Sequence, residues 1–247
     1  MYDRSVKTRE NPKWIRGYRN GLLVVDSRNT LFVWEHQYYP AWYIPVADVD
    51  AEIVPSAAAS DGGGQETATH IDLVLDEETV SNAGWRHLDS PEPDLRGRVR
   101  LEWNSMDAWF EEDVEVFVHP RSPEVRIDVL PSSKHVRVAI DGQVVADSVR
   151  SSVLYEAWLP PRYYLPKSDV RMGLLTPTNT ESQCPYKGWA HYWSVSIGDS
   201  THDDLAWGYR TPLPESSGVA GLVCFYNEKV DIEIDGVPLG RPVTKFS

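Results

Sequence analysis

The chain has 247 residues, 41% of them hydrophobic and 25% charged, with a formal net charge of −13; this is the composition of a folded globular protein. The negative field works against binding a phosphate backbone, and no apolar run approaches the length of a membrane span. The first residues lack the apolar stretch of a secretion signal, so the expectation is an acidic, soluble, cytoplasmic protein with neither a nucleic-acid nor a membrane partner.

Residues 1–21 read as an N-terminal arm. They hold the one basic stretch, Arg4, Lys7, Arg9, Lys13, Arg16 and Arg19, whose simplest reading is a solvated tail. A first β-rich repeat is expected over 22–118, with strand-like runs at 22–25, 31–35, 71–75 and 114–118. Inside it, 55–64 (PSAAASDGGG) reads as a flexible loop. Its glycines lack the strand-then-helix setting of a phosphate loop. His119-Pro120-Arg121-Ser122-Pro123 carries two prolines and no apolar period, and opens a linker and lead-in over 119–135.

A second repeat is expected over 136–242. It opens on a hairpin signal: alternation at 136–140, an Asp141-Gly142 turn, then more apolar residues at 144–146. Further strands are read at 162–165, 191–197, 221–226 and 230–234. The last alternates Val230, Ile232 and Ile234 with Asp231, Glu233 and Asp235. Helical periodicity is scarce, and Pro214-Glu215-Ser216-Ser217 is a possible start of one short helix. The fold class is therefore mainly β: two tandem small antiparallel β-domains (sandwich, barrel or tent-like), with few short helices.

The repeat itself rests on identities. Asp26-Ser27 and Asp147-Ser148, Glu35 and Glu156, Pro40 and Pro161, Tyr43 and Tyr164, Pro45 and Pro166, and Asp48-Val49 and Asp169-Val170 all lie 121 positions apart. Trp85 and Trp207 extend the match. Such self-similarity means two copies of one fold, packed within the chain as a pseudo-dimer. Each copy then serves as a control for the other. Residues shared by both serve the fold, and residues confined to one are freer to serve chemistry.

Tyr163-Tyr164-Leu165-Pro166-Lys167-Ser168-Asp169-Val170, Cys184-Pro185-Tyr186-Lys187-Gly188, Ala190-His191-Tyr192-Trp193 and Ala206-Trp207-Gly208-Tyr209 together resemble the domain-of-unknown-function 427 family. In the first copy, 107–113 and His119-Pro120-Arg121 resemble the same family's tandem form. The resemblance covers all but the N-terminal arm. It implies a compact β-rich domain with no settled activity. Some members bear a nucleotidyltransferase-like label, but such chemistry needs a Gly-Ser turn followed by spaced metal-binding aspartates, an arrangement this chain lacks. The first copy has 61–70 where the second has 184–192, so it lacks the Cys-Pro-Tyr-Lys-Gly motif.

Cys184 heads the residues particular to the second copy. Pro185 holds it extended and Gly188 permits a tight bend. Lys187 is placed to stabilise a thiolate, Tyr186 to donate a proton or orient a carbonyl, and His191 to act as base. Cys184, Tyr186 and Lys187 are the candidate catalytic residues, and Tyr164, Asp169, Arg171, His191 and Trp193 the candidate substrate-binding ones. Asp169 and Arg171, two apart in an extended segment, point to one side and form a clamp. The bland alternatives are a core cysteine, a solvated lysine and a turn-stabilising aspartate. Cys224 reads as core and Ser148 as strand-end hydrogen bonding. No metal site and no cofactor are expected. The functional readings are a cysteine-dependent enzyme acting on a small carbonyl or acyl compound, a non-catalytic module binding a small ligand among Tyr163, Tyr164, Tyr186 and Trp193, and a structural or interaction protein.

Overall fold

The computed structural model describes residues 6–56, 68–76, 78–87, 90 and 92–247. The chain divides into two compact units, with the boundary between Ser122 and Pro123.

Unit 1 contains β1 (Lys7–Glu10), β2 (Ile15–Arg19), β3 (Leu22–Ser27), β4 (Leu31–Trp34), β5 (Ala41–Pro45), β6 (Glu52–Pro55), β7 (Ala68–Val74), β8 (Thr79–His87), β9 (Arg98–Leu101), β10 (Ala108–Glu111) and β11 (Val114–Val116). They form a seven-stranded sheet, β1-β4-β5-β9-β8-β7-β6, and a four-stranded sheet, β11-β10-β2-β3. Unit 2 contains β12 (Ile127–Ser132), β13 (Val136–Ile140), β14 (Gln143–Ser148), β15 (Ser151–Glu156), β16 (Arg162–Leu165), β17 (Leu175–Cys184), β18 (Gly188–Ile197), β19 (Ser200–Tyr209), β20 (Val223–Phe225), β21 (Asp231–Ile234) and β22 (Val237–Leu239). Its sheets run β12-β15-β16-β20-β19-β18-β17 and β14-β13-β21-β22. Every strand of unit 1 thus has a counterpart at the same place in unit 2, from β1 with β12 to β11 with β22. Each unit is an open pair of antiparallel sheets. The helical elements among the described residues are short 3₁₀ turns, including one at Pro214–Val219 where a helix start was read.

The duplication reaches single residues. Val25 bridges Val49, and Ala146 bridges Val170. The hairpin turn Asn20-Gly21 has φ of 49° and 77°, and Asp141-Gly142 has 49° and 76°. Both are the paired positive-φ turn that follows the twist of two antiparallel strands. Register extends the correspondence: Leu101 takes the place of Phe225, each on the strand next to the one carrying the shared tryptophan.

Two expected boundaries move. The stretch 1–21, expected as an arm, holds β1 and β2 of unit 1. Its apolar signal is thin because Gly17 lies under Trp109, where an added Cβ would come within 2.8 Å of the ring. Three of its basic residues are paired within the unit instead of forming a solvated tail: Lys13 with Glu111, Arg16 with Asp113 and Arg19 with Glu78. The lead-in 119–135 is split between units. Arg121 donates to the buried Glu111 of unit 1, while β12 is an edge strand of unit 2. Of the expected loop at 55–64, Pro55 ends β6 and Ser56 follows it; 57–64 lie outside the described residues.

The larger sheet is buried on both faces, which is why its central strands read as continuous apolar runs. In unit 2, Leu165, Trp193, Val195, Val223 and Phe225 face the smaller sheet, where Val136, Val138, Val145 and Ile232 complete the core. On the opposite face Leu154, Tyr164, Ala190, Trp207, Tyr209 and Cys224 form a second cluster under Val219, with Val129 of β12 packed against it. This second face positions the site described below.

A shared polar contact pins each unit. Ser27 Oγ donates to Asp48 at 2.6 Å, and Ser148 Oγ to Asp169 at 2.7 Å. Both serines are buried, so each hydroxyl needs that acceptor. Ser27→Ala and Ser148→Ala are each expected to cost about 2 kcal/mol, the usual worth of a hydrogen bond to a charged group. Urea unfolding followed by circular dichroism checks this, and two substitutions without effect would remove the aspartates from the fold's framework.

Candidate functional site

The Cys-Pro-Tyr-Lys-Gly motif is the tip of the β17–β18 hairpin. Cys184 ends β17 and pairs across the turn with Gly188, whose φ of +88° suits glycine. The Lys187 N–H donates to the Cys184 carbonyl at 3.3 Å and closes the turn. The tip is docked on the segment that precedes β20. The Leu213 N–H donates to the Lys187 carbonyl at 3.2 Å, and Ser216 Oγ donates to the Tyr186 carbonyl at 3.2 Å.

With both carbonyls held, the Lys187 side chain turns inward and is only 8% exposed. Its ammonium lies 2.5 Å from Glu156 Oε2 at the end of β15 and near enough to the Cys184 sulfur to interact with it electrostatically. Burial alone pushes a lysine pKa down. Here Cys184 and Glu156 outweigh burial, and Lys187 is raised above the usual lysine range. It is therefore a fixed cation at neutral pH and not a proton acceptor. The Tyr209 phenol, buried at the end of β19, completes the cluster. Burial, then the nearness of Cys184, pushes it well above the ordinary tyrosine range, so it remains a neutral donor. Cys184 is half-buried; Cys224 is fully buried, and burial pushes its thiol up to about 12.

The structure thus brings Cys184 and Lys187 together, with Tyr186 half-buried on the same turn, and adds Glu156 and Tyr209. Glu156 was legible as a repeated residue, but repetition assigns it to the fold alone. Tyr209 stands in a quoted motif yet approaches the turn only through sheet pairing, opposite Ala190.

The other candidates lie elsewhere. Tyr164 is 1% exposed, accepts from Trp207 Nε1 at 3.2 Å and belongs to the cluster under Val219, whereas Trp193 faces the smaller sheet. Tyr163 packs on Trp193's side, so the expected aromatic pocket of Tyr163, Tyr164, Tyr186 and Trp193 does not assemble. Asp169 is held by Ser148 and Arg150, which keep its carboxyl below the usual range, while Arg171 is exposed. The expected Asp169–Arg171 clamp is replaced by a structural contact. His191 pairs with Glu181 across the hairpin at 3.0 Å. It stands three residue pairs from Cys184, about 10 Å along the strands, and cannot serve it directly as base. Among the described residues no group of three His, Cys, Asp or Glu is placed to hold a metal ion, and no helix is long and apolar enough to cross a membrane.

Unit 1 keeps the carboxylate and changes its surroundings. Glu35 accepts from the Tyr43 hydroxyl at 2.6 Å and faces Arg100 at 3.4 Å. Arg100 and Cys224 occupy the same register position, opposite Tyr43 and Tyr164 respectively. The sequence between Pro55 and Ala68 holds neither cysteine nor lysine.

A family model described as "Domain of unknown function (DUF427)" matches residues 7–112 and again residues 128–236. No curated protein matches the chain significantly.

Replacing Lys187 by Met removes the positive charge beside the sulfur. Iodoacetamide labelling at neutral pH, read by peptide mass spectrometry, is expected to slow at Cys184 by on the order of tenfold. Cys224 stays unlabelled in the folded protein. Unchanged labelling of Cys184 would separate the ammonium from the thiol's reactivity.

Proposed function

We propose, for a chain that belongs to the DUF427 family in tandem two-copy form, that unit 2 carries a small-molecule site at the tip of the β17–β18 hairpin, where Cys184 is the nucleophile toward a small carbonyl or acyl compound. What supports this reading is a half-buried thiol beside a buried ammonium that is itself held by a carboxylate. A buried charge is costly unless paired. Glu156 offsets that cost for Lys187, whose charge stands near the sulfur.

In the acyl case the thiol proton passes to solvent as the sulfur attacks, with the Lys187 ammonium beside the reacting centre. The sulfur attacks the carbonyl carbon, forming the S–C bond. The bond from that carbon to the leaving oxygen breaks with its electron pair, and the departing oxygen takes a proton from water. A thioester remains on Cys184, and water cleaves it to release the acid and restore the thiol. Tyr209, kept protonated by burial, is the donor for the developing oxyanion. Glu156 positions Lys187 and touches no substrate. Tyr186 stands half-buried on the same turn.

The reading is tested with p-nitrophenyl acetate as acyl donor. Peptide mass spectrometry is expected to find an acetyl group on Cys184 of the wild type. The adduct disappears in Cys184→Ser, which has no base to activate a hydroxyl, and diminishes in Lys187→Met. Acetylation confined to surface lysines and the N-terminus, with Cys184 unmodified, would overturn it.

A further inference from the structure

We propose that unit 1 has a separate binding site for a planar, uncharged small molecule with a carbonyl-type acceptor, in the cleft lined by Trp42. The cleft has a volume of about 360 Å³, within the usual range for small-ligand sites. Its floor is an indole cluster: Trp42 lies 5.7 Å from Trp103 and 5.5 Å from Trp109, centroid to centroid. One side is a stack in which the Tyr39 ring lies between His36 at 4.5 Å and His119 at 4.2 Å.

The observation that points to a ligand is an orphaned donor; Arg100 Nε and Nη1 in the same lining also lack a hydrogen-bond partner, but each lies against a carboxylate. Trp42 is only 4% exposed, and its buried Nε1 has no hydrogen-bond partner. A buried indole N–H is ordinarily satisfied. Trp109 Nε1 donates to the Trp103 carbonyl at 3.0 Å, and Trp207 Nε1 to the Tyr164 hydroxyl at 3.2 Å. The Trp42 donor calls for an acceptor supplied from the cleft.

Charge then narrows the class. Arg100 lines the cleft but is flanked by Glu35 and Glu102, so its charge is already matched and no free cation awaits an anion. An organic cation such as tetramethylammonium offers no acceptor to the Trp42 N–H. A flat neutral ring stacks on the indoles without either conflict, and its carbonyl accepts a hydrogen bond from Trp42 Nε1. The duplication supports a ligand role over a role in the fold: sheet register puts Tyr163 in place of Trp42 and Ile232 in place of Trp109 in unit 2.

The test uses ¹⁵N-labelled protein and its indole N–H resonances, with Trp42 assigned by its loss in Trp42→Phe. Benzamide, nicotinamide and uracil are the neutral carbonyl probes; tetramethylammonium and benzoate are the charged ones. At least one neutral probe is expected to move the Trp42 resonance saturably at millimolar concentration. The shift is weakened by Trp103→Leu and unaffected by Cys184→Ser, which keeps this site distinct from that of unit 2. An unmoved Trp42 resonance with all three neutral probes, or one moved only by a charged probe, would overturn the proposal.

Discussion

The contact on which the chemistry proposed for unit 2 depends is the ion pair between Lys187 and Glu156. A lysine at the tip of a hairpin would ordinarily extend into water. Here both carbonyls of the turn are engaged by the segment before β20, and the side chain enters the sheet's second face. An ammonium cannot stay there unpaired. Glu156, at the end of a strand separated from the hairpin by three others in the sheet order, meets it. The same contact fixes what Cys184 has beside it, because the turn that buries Lys187 also sets the sulfur.

The two units solve one problem with different partners. Each has a glutamate near a buried tyrosine, Glu35 just past the end of β4 and Glu156 at the end of β15, and each gives that carboxylate a cation. In unit 1 the cation is Arg100, from a strand next to Tyr43; in unit 2 it is Lys187, from the hairpin tip. Cys224 fills the position that Arg100 leaves, which explains why it is a sealed, inert thiol. Retaining the carboxylate while exchanging its partner ties Glu35 and Glu156 to the framework, and leaves the exchanged residues as the ones that distinguish the units.

Much of the fold could be read from the chain. The repeated Asp-Ser, Tyr and Trp residues predict the shared sheet order, and the Asp141-Gly142 hairpin was legible from alternation and turn chemistry. Its twin, Asn20-Gly21, was missed because β2 shows few apolar residues: Gly17 makes room for Trp109, so the signal sits on the partner strand. The site was legible only as far as local sequence reaches. Cys184 and Lys187 share one turn and were found together. Glu156 and Tyr209 join them through sheet pairing across the unit, and no spacing encodes that. Asp169 and Arg171 looked like a clamp because they are two apart, yet the Ser148 and Arg150 side chains had already taken the carboxylate. Trp42's isolation as a donor is likewise a property of the packed state.

The central claim is that Lys187 is a paired, buried cation. Because its pKa is raised on folding, the pair stabilises unit 2 fully below the unfolded lysine value of about 10.4, and that contribution is lost as pH rises through the higher folded value. The most direct measurement is a titration of the lysine ¹³Cε resonances from neutral to strongly alkaline pH. Lys187 is expected to keep its proton after the exposed lysines have lost theirs, and Glu156→Gln to bring its midpoint down. A wild-type Lys187 that titrates with the exposed lysines, or before them, would contradict the account.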